Sequence, residues 1–300
     1  MATTTNANRS TQQEAPGRSV AHPFDAEDST DDSVSRTDEE KDEPGDASKK
    51  LHRRRTLYLI RHGEAEHNVL EAEAQRRAEM EGESLRLPRK DILERMERAR
   101  QDVLTDWALR DASLTEAGKQ QARNTRRKLE QMIQDNDVHH PTEAMCSPLT
   151  RCLQTCKILL EGSDVSAYIR PEISERRTLL PPDTAKPLEE MLRYTRYSEF
   201  SDFNTDHMKR QSESNATPES TTAVESKEML RERAGEMFHL LMECNHRHVL
   251  VVSHKGFLRE LERGLLEIPD SPLFGNCEMR VYRVVFTMGD RRLVQSERIA

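Results

Sequence analysis

One short stretch, Leu57-Tyr58-Leu59-Ile60-Arg61-His62-Gly63-Glu64, constrains the fold of this chain more than any other. Its four consecutive apolar residues are too few for a helix, and they end directly in a cation, an imidazole and a glycine. A short unbroken apolar run of this kind predicts a buried strand of a parallel sheet. Because open α/β sheets bind ligands beyond the carboxyl ends of such strands, Arg61 and His62 are predicted to lie at a functional site.

Three further segments predict strands that each lead to a chemically useful side chain. The segments are residues 142–146, 165–169 and 248–252, and the side chains are Arg151, Glu175 and His254. Strands that alternate with helices form a parallel sheet with right-handed crossovers, so their carboxyl ends share one edge. We therefore predict an α/β fold, a three-layer α/β/α sandwich with a mostly parallel central sheet. A final hairpin is predicted around Gly289-Asp290.

The side chains at this predicted edge suit phosphoryl transfer. A neutral imidazole is a nucleophile that can carry a phosphoryl group. Arginine side chains bind phosphate oxygens and hold the charge that develops on them during transfer. A carboxylic acid whose pKa is raised by burial can protonate the leaving alkoxide. Since these groups supply every role, neither a metal ion nor another cofactor is predicted.

The motifs themselves resemble those of a known family. Arg61-His62-Gly63-Glu64, with Asn68 four residues later, resembles the signature of the histidine phosphatase superfamily, in particular its phosphoglycerate-mutase-like branch. Residues 147–155 resemble the second motif of that family, and residues 111–118 resemble its Leu-Thr-x-x-Gly turn, with Thr115 a candidate helix N-cap. Residues 253–256 resemble the last motif, although the family more often has glycine at the position of Lys255.

The resemblance also implies a role for each site residue. His62 is implied to be the phosphorylated nucleophile, with Arg61, Arg151 and His254 around the phosphoryl group and Asn68 helping to bind it. Glu175 best matches the proton donor of the family.

Several roles stay open at this stage. Glu172 or Asp183 could be the proton donor instead of Glu175. Lys255 could add a cation near the pocket, although we slightly favour a side chain that faces solvent. Arg176 and its neighbour Arg177 could equally contact a charged substrate or be exposed.

Three functions are compatible with these motifs. The leading hypothesis is a metal-independent phosphatase that hydrolyses a phosphate monoester through a phosphohistidine. A phosphoglycerate mutase is the second, but such mutases resemble one another in a Trp-Asn pair and a Phe-x-Gly-Trp-x-Asp turn, whereas here His67-Asn68 leads into a charged helix. The third is a non-catalytic module that captures phosphorylated ligands. No catalytic residue type is absent, which argues against it.

Composition divides the chain into two parts. Residues 1–50 carry twelve acidic and six basic residues with few large apolar ones, which predicts a disordered acidic tail. Residues 51–300 are predicted to be the histidine phosphatase domain. Because the tail accounts for most of the net charge of −8, the domain is nearly neutral, and its charge predicts neither nucleic-acid nor membrane binding. The predicted partner is a small phosphorylated substrate, and no feature indicates an oligomeric state.

Four segments of the domain have less regular patterns. The basic cluster of Lys49, Lys50 and residues 53–55 is predicted to be a solvated lead-in to the first strand, with a localisation signal as the less favoured alternative. The charged stretch 70–104 predicts a helical insertion of one or two helices, interrupted near Pro88. The polar stretch 198–224 predicts a mobile, lid-like loop. Residues 226–245 show one helical apolar stripe.

Five cysteines, an odd number in a long chain, are typical of reduced thiols rather than of a disulfide framework. The sequence has no apolar run long enough for a membrane span and no signal-peptide core. We therefore expect a cytoplasmic protein, with access to the nucleus possible.

Overall fold

The computed structural model describes residues 52–186, 189–190, 200, 202–206, 208–209, 223–287 and 292–300. The predicted tail (1–50), most of the predicted lid-like loop (198–224) and the turn at Gly289-Asp290 lie outside the described residues. Among the described residues, the strands are β1 (His52–Arg61), β2 (Glu143–Cys146), β3 (Ser166–Ile169), β4 (His248–Ser253), β5 (Met279–Thr287) and β6 (Leu293–Arg298). The helices are α1 (Glu66–Ser84), α2 (Arg89–Leu104), α3 (Glu116–Gln134), α4 (Thr150–Leu159), α5 (Lys227–Gly235), α6 (Met237–Glu243) and α7 (Lys255–Arg263).

The six strands form one mixed sheet in the order β3-β2-β4-β1-β5-β6. The first four are parallel, and the register of β1 and β4 places Arg61 opposite Ser253. β5 pairs with β1 in antiparallel orientation, and β6 pairs with β5 in the same way at the edge of the sheet. The antiparallel pairing of β5 with β6 agrees with the predicted hairpin. The carboxyl ends of β1, β2, β3 and β4 therefore share one edge, as the sequence predicts.

Each face of the sheet is covered by its own layer of helices. Leu57 and Leu59 of β1 pack in a core with α5, α6 and α7, whereas Tyr58 and Ile60 pack in a second core with α3 and α4. All four side chains are buried because alternate residues of a strand point to opposite faces, so a continuous apolar run serves two cores at once. The predicted three-layer α/β/α sandwich is confirmed.

Arg53, Arg54 and Arg55 form part of the first strand, so the predicted solvated lead-in is wrong for the buried Arg55, whereas Arg54 is exposed. Lys49 and Lys50 lie outside the described residues. Arg53 to Arg55 pair with β5 in antiparallel register. Arg53 Nη1 donates to the carbonyl oxygen of Met242 at 2.6 Å, and Arg55 Nη2 donates to that of Cys244 at 2.7 Å. These carbonyls lie at the end of α6, where the backbone has no helical donor, so the two arginines satisfy the helix terminus.

Both stretches predicted to be helical contain helices, but the helices begin and end at other residues than predicted. The stretch 70–104 contains α1 and α2 with a break before Pro88, but α1 already begins at Glu66. The stripe at 226–245 is split into α5 and α6 at Gly235-Glu236, where glycine weakens the helix. Every helix in the described ranges is too short or too polar to cross a bilayer.

A close approach of two glycines fixes the loop after β1. Thr115 is the N-cap of α3 as predicted, and its hydroxyl accepts from the Gly118 N–H at 2.9 Å and donates to Glu64 Oε1 at 2.7 Å. A Cβ on Gly118 would collide with the backbone carbonyl of Glu64, and one on Gly63 would lie 2.5 Å from the carbonyl oxygen of Gly118. The turn at residues 111–118 therefore packs against Gly63 and Glu64 and fixes their backbone next to His62.

Gly118→Ala is expected to lower the free energy of unfolding by about 3 kcal/mol, because backbone atoms must move to admit the methyl group. Denaturant unfolding followed by circular dichroism measures this change. Gly235→Ala is the matched control, since a Cβ there has no atom within 4 Å, and its stability is expected to be unchanged or slightly higher. Equal stability of the two variants would contradict this account.

Candidate active site

Two histidines lie side by side where the central parallel strands end. His62 follows β1 and His254 follows β4, and the backbone N–H of His62 donates to the Ser253 carbonyl at 3.0 Å. Their ring centroids are 5.1 Å apart, and both rings are buried. Parallel pairing of β1 with β4 therefore joins two residues that are almost 200 positions apart in the sequence.

Arg151, in the first turn of α4, connects the two rings. Its Nε donates to His62 Nε2 and its Nη2 donates to His254 Nδ1, both at 3.3 Å. Residues of the loop that follows β3 also bind this guanidinium. Its Nη1 donates to the Pro182 carbonyl at 2.6 Å, and its Nη2 forms an ion pair with Asp183 Oδ1 at 3.1 Å. The guanidinium is buried and fixed, so it presents a permanent positive charge between the imidazoles.

The hydrogen bonds of His62 determine its tautomer. Nδ1 lies 2.7 Å from the carbonyl oxygen of Gly63, which can only accept, so Nδ1 carries the proton. Nε2 is then the unprotonated nitrogen, and it accepts from Arg151. The pKa of His62 lies well below its usual value because burial, Arg151 and Arg61 all oppose a second proton. The ring is therefore neutral, with its lone pair on Nε2.

His254 has the opposite tautomer. Because Arg151 donates to Nδ1, the proton lies on Nε2, which is 2.8 Å from Ser147 Oγ. The Cys152 sulfur lies 3.3 Å from the same nitrogen. Burial, together with Arg151 and His62, also holds the pKa of His254 well below its usual value.

Arg61 adds a second guanidinium to the cavity wall. Its Nη1 donates to the Phe274 carbonyl at 2.8 Å, while its buried Nε has no hydrogen-bond partner. Two arginines and two neutral histidines thus form a group with a net positive charge.

The three carboxylates considered as proton donor differ in their surroundings. Asp183 lines the cavity but is held by Arg151 and by the Thr178 hydroxyl, which donates at 2.8 Å. Glu172 does not line the cavity. Glu175 lines it and accepts from the Arg176 N–H at 2.9 Å, and burial and the charge of Asp183 raise its pKa. Glu175 therefore has the properties that a proton donor needs.

Asn68 lies at the cavity but has structural contacts there. It is the third residue of α1, and its Oδ1 accepts from the Ala65 N–H at 3.2 Å, closing the start of the helix. Its Nδ2 lies 2.9 Å from His67 Nε2. The phosphate contact that the resemblance implies stays a prediction.

Sequence reasoning missed His67 as part of the site. The ring is buried at the cavity and its Nδ1 has no partner. Burial, with Arg151 and Arg61, lowers its pKa to about 3, so it is neutral. The sequence signal that could have found it is its position beside Asn68, at the start of α1.

These side chains open into a cavity of about 600 Å³ between the strand ends and helices α1, α2, α5 and α7. Lys255 is exposed to solvent, the alternative slightly favoured from the sequence, and it also lines this cavity. Both alternatives for its side chain therefore hold together. Arg176 also lines it, whereas Arg177 lies 4.0 Å from Glu225. The volume is typical of sites for small molecules.

A buried carboxylate holds the helix that carries Arg151. Asp111, at φ 50°, accepts from both the backbone N–H and the hydroxyl of Thr150 at 2.7 Å. It therefore caps α4 from another segment, although burial raises its pKa.

Asp111→Ala is expected to reduce the free energy of unfolding by about 2 kcal/mol, since the cap is lost and alanine disfavours a positive φ. Thermal and denaturant unfolding measure this change. Asp111→Asn keeps one acceptor and tolerates the backbone angle, so it is expected to lose less. An alanine variant as stable as the asparagine variant would contradict the capping role.

Comparison with known proteins identifies the family. A model of the histidine phosphatase superfamily (branch 1) matches residues 104–297. This chain belongs to that superfamily. The matched span includes Arg151, Glu175 and His254 but begins after most of α2, so it excludes Arg61 and His62. In the structure, β1 lies between β4 and β5 and brings His62 against residues of the matched part.

Several solved structures are similar to this chain. A putative α-ribazole-5′-phosphate phosphatase from Escherichia coli is 17% identical, with a TM-score of 0.45 over 81% of this chain and 94% of that chain. Bacillus stearothermophilus YhfR is 19% identical, with a TM-score of 0.45 over 79% and 93%. A mycobacterial glucosyl-3-phosphoglycerate phosphatase is 15% identical, with a TM-score of 0.45 over 81% and 97%. A search of curated protein sequences found no match.

Proposed function

We propose that this protein is a metal-independent phosphatase that hydrolyses a small phosphate monoester through a phosphohistidine on His62. The observation that carries the proposal is the tautomer of His62: Nδ1–H donates to Gly63, and the free Nε2 lies beside Arg151 in the cavity. A neutral, buried imidazole held in this way is a competent nucleophile toward phosphorus. The fixed guanidinium groups of Arg61 and Arg151 supply the positive charge that phosphoryl transfer requires.

The proposed reaction has two steps. In the first, His62 Nε2 attacks phosphorus, the P–O ester bond breaks, and the Glu175 carboxyl group gives its proton to the departing alkoxide. The positive charge of the phosphorylated ring is stabilised by the Nδ1–H bond to Gly63. In the second, the Glu175 carboxylate takes a proton from water as the oxygen attacks phosphorus, which releases phosphate and restores neutral His62. Arg61, Arg151 and His254 surround the phosphoryl group throughout.

The test is hydrolysis of p-nitrophenyl phosphate in the presence of EDTA, with wild-type protein and His62→Ala protein purified in the same way. Turnover by the wild type alone supports the proposal. If neither protein releases nitrophenol, the proposal fails in favour of a phospho-ligand binding module. Transfer between glycerate phosphates with little release of free phosphate would instead indicate a mutase.

A further inference from the structure

The active-site cavity carries more positive charge than one phosphoryl group requires. Among the described residues, nine lysine and arginine side chains line it, against four carboxylates, although the whole chain has a net charge of −8. Arg61 and Arg151 already lie at the place proposed for the phosphoryl group. Seven further cations thus surround the remainder of the cavity.

Three of those seven cations have a carboxylate partner. Arg100 pairs with Glu71 at 2.5 Å, and Arg231 pairs with Glu260 at 2.9 Å. Arg263 lies 3.8 Å from the same Glu260. These three arginines therefore have anionic partners in the protein itself, although Arg231 and Arg263 share one carboxylate.

The other four cations are Arg176, Lys227, Lys255 and Arg259, and the part of the chain that the structure describes offers none of them a carboxylate within ion-pair distance. The Nε of Arg259 is buried without a hydrogen-bond partner. Like charges that share a partly enclosed space repel one another strongly, because the surrounding protein screens them less than water does. An anionic ligand removes this repulsion.

Helix α7 presents two of these cations together. Lys255 and Arg259 are four residues apart and so lie on one face of the helix. Phe257, Leu258 and Leu261 occupy the opposite face, in the core. The packing of α7 therefore directs the basic face toward the cavity.

This basic face lies next to the group that would protonate the leaving oxygen. Gly256 contacts the Glu175 carboxylate so closely that a Cβ on Gly256 would collide with Oε1. Lys255 also contributes to lowering the pKa of His67 and opposes the rise in the pKa of Glu175. Arg176 is bonded to Glu175 through its backbone N–H. Lys255 and Arg176 therefore lie near the proposed proton donor, so the proposed reaction places them, with Arg259, on the alcohol side of the ester.

We propose that Lys255, Arg259 and Arg176 bind a second anionic group on the alcohol part of the substrate. The substrate class is then a small phosphate monoester whose alcohol carries another phosphate or a carboxylate. The inference rests on the proposed function only in assigning the first phosphate to His62. Guanidinium groups bind both phosphate and carboxylate oxygens, so the shared chemistry is a second oxyanion.

The test measures binding without turnover. Propylphosphonate, 3-phosphonopropanoate and propane-1,3-bisphosphonate carry a C–P bond in place of the ester, so they bind without being hydrolysed. In calorimetric titration of the wild-type protein at 0.15 M salt, a two-anion ligand is expected to bind at least about tenfold more tightly than propylphosphonate. Preference for the bisphosphonate identifies phosphate as the second group, and preference for 3-phosphonopropanoate identifies carboxylate. Equal affinity of all three ligands overturns the proposal.

Matched variants locate the effect. Lys255→Gln and Arg259→Gln are made as separate variants because Lys255 is the more exposed of the two. Each is expected to reduce the preference for the two-anion ligand several-fold. Lys128→Gln removes the same charge from an exposed position of α3 outside the cavity and is expected to keep the preference. A similar reduction in all three variants would show a general effect of charge and overturn the proposal. Failure of the proposed function is distinct, because it would abolish hydrolysis of p-nitrophenyl phosphate while the binding preference stayed.

Discussion

His62→Ala is expected to lower kcat by at least about 10⁴-fold, because the nucleophile that splits hydrolysis into two steps is removed. The ring is buried between Arg151 and His254, and its Nε2 accepts from Arg151. His254 also has an unprotonated nitrogen, Nδ1, beside Arg151, so identifying the labelled residue decides which ring is phosphorylated. Steady-state hydrolysis of p-nitrophenyl phosphate in EDTA measures the loss. Binding of propylphosphonate is expected to survive, since both arginines remain.

The covalent intermediate supplies the decisive measurement for this variant. Rapid acid-free quenching of the wild type with a ³²P-labelled monoester is expected to give an acid-labile, base-stable adduct on His62, and the alanine variant is expected to give none. His246→Ala is the control, because that histidine is exposed and pairs with Glu143 away from the cavity. A labelled residue other than His62, or an adduct retained in His62→Ala, would contradict the mechanism.

Glu175→Gln is expected to lower kcat/KM for an alkyl phosphate by about 10³-fold, because an alkoxide needs a proton in order to leave. The loss for p-nitrophenyl phosphate is expected to be much smaller, since nitrophenolate leaves without one. The difference between the two substrates separates loss of a proton donor from loss of structure. A loss that is equal for both substrates would show that Glu175 acts only by positioning.

The pH profile gives a second measurement of the same group. Burial and Asp183 raise the pKa of Glu175, and the first step needs its protonated form. Hydrolysis of the alkyl ester by the wild type is therefore expected to fall as the pH rises through that raised pKa, and Glu175→Gln is expected to lose this limb. Asp183→Asn and Glu172→Gln are the matched variants. If one of these variants loses activity toward the alkyl ester but not toward p-nitrophenyl phosphate, while Glu175→Gln loses none, that residue and not Glu175 is the proton donor.

Contacts within the site illustrate which parts of it the sequence could not predict. Asp183 holds the Arg151 fork from a loop thirty-two positions away, and Asp111 caps the same helix from the other direction. Neither contact has a periodic signal, because each joins a loop to a helix terminus that only the folded chain brings near it. The predicted solvated lead-in failed at Arg55 for a similar reason: β5 and the end of α6 recruit that arginine into the sheet.

The sequence by itself determined the parallel strands, the family and most of the reactive side chains that line the cavity, although not His67. Apolar runs that end in polar residues specify buried parallel strands, and parallel strands bring their carboxyl ends to one edge, so Arg61, His62 and His254 meet without further information. The tertiary structure alone decided the tautomer of each histidine, the surroundings that distinguish the three carboxylates and the direction in which the α7 cations point. Hydrogen-bond partners, burial and neighbouring charge decide those properties, and they exist only after distant segments have packed together.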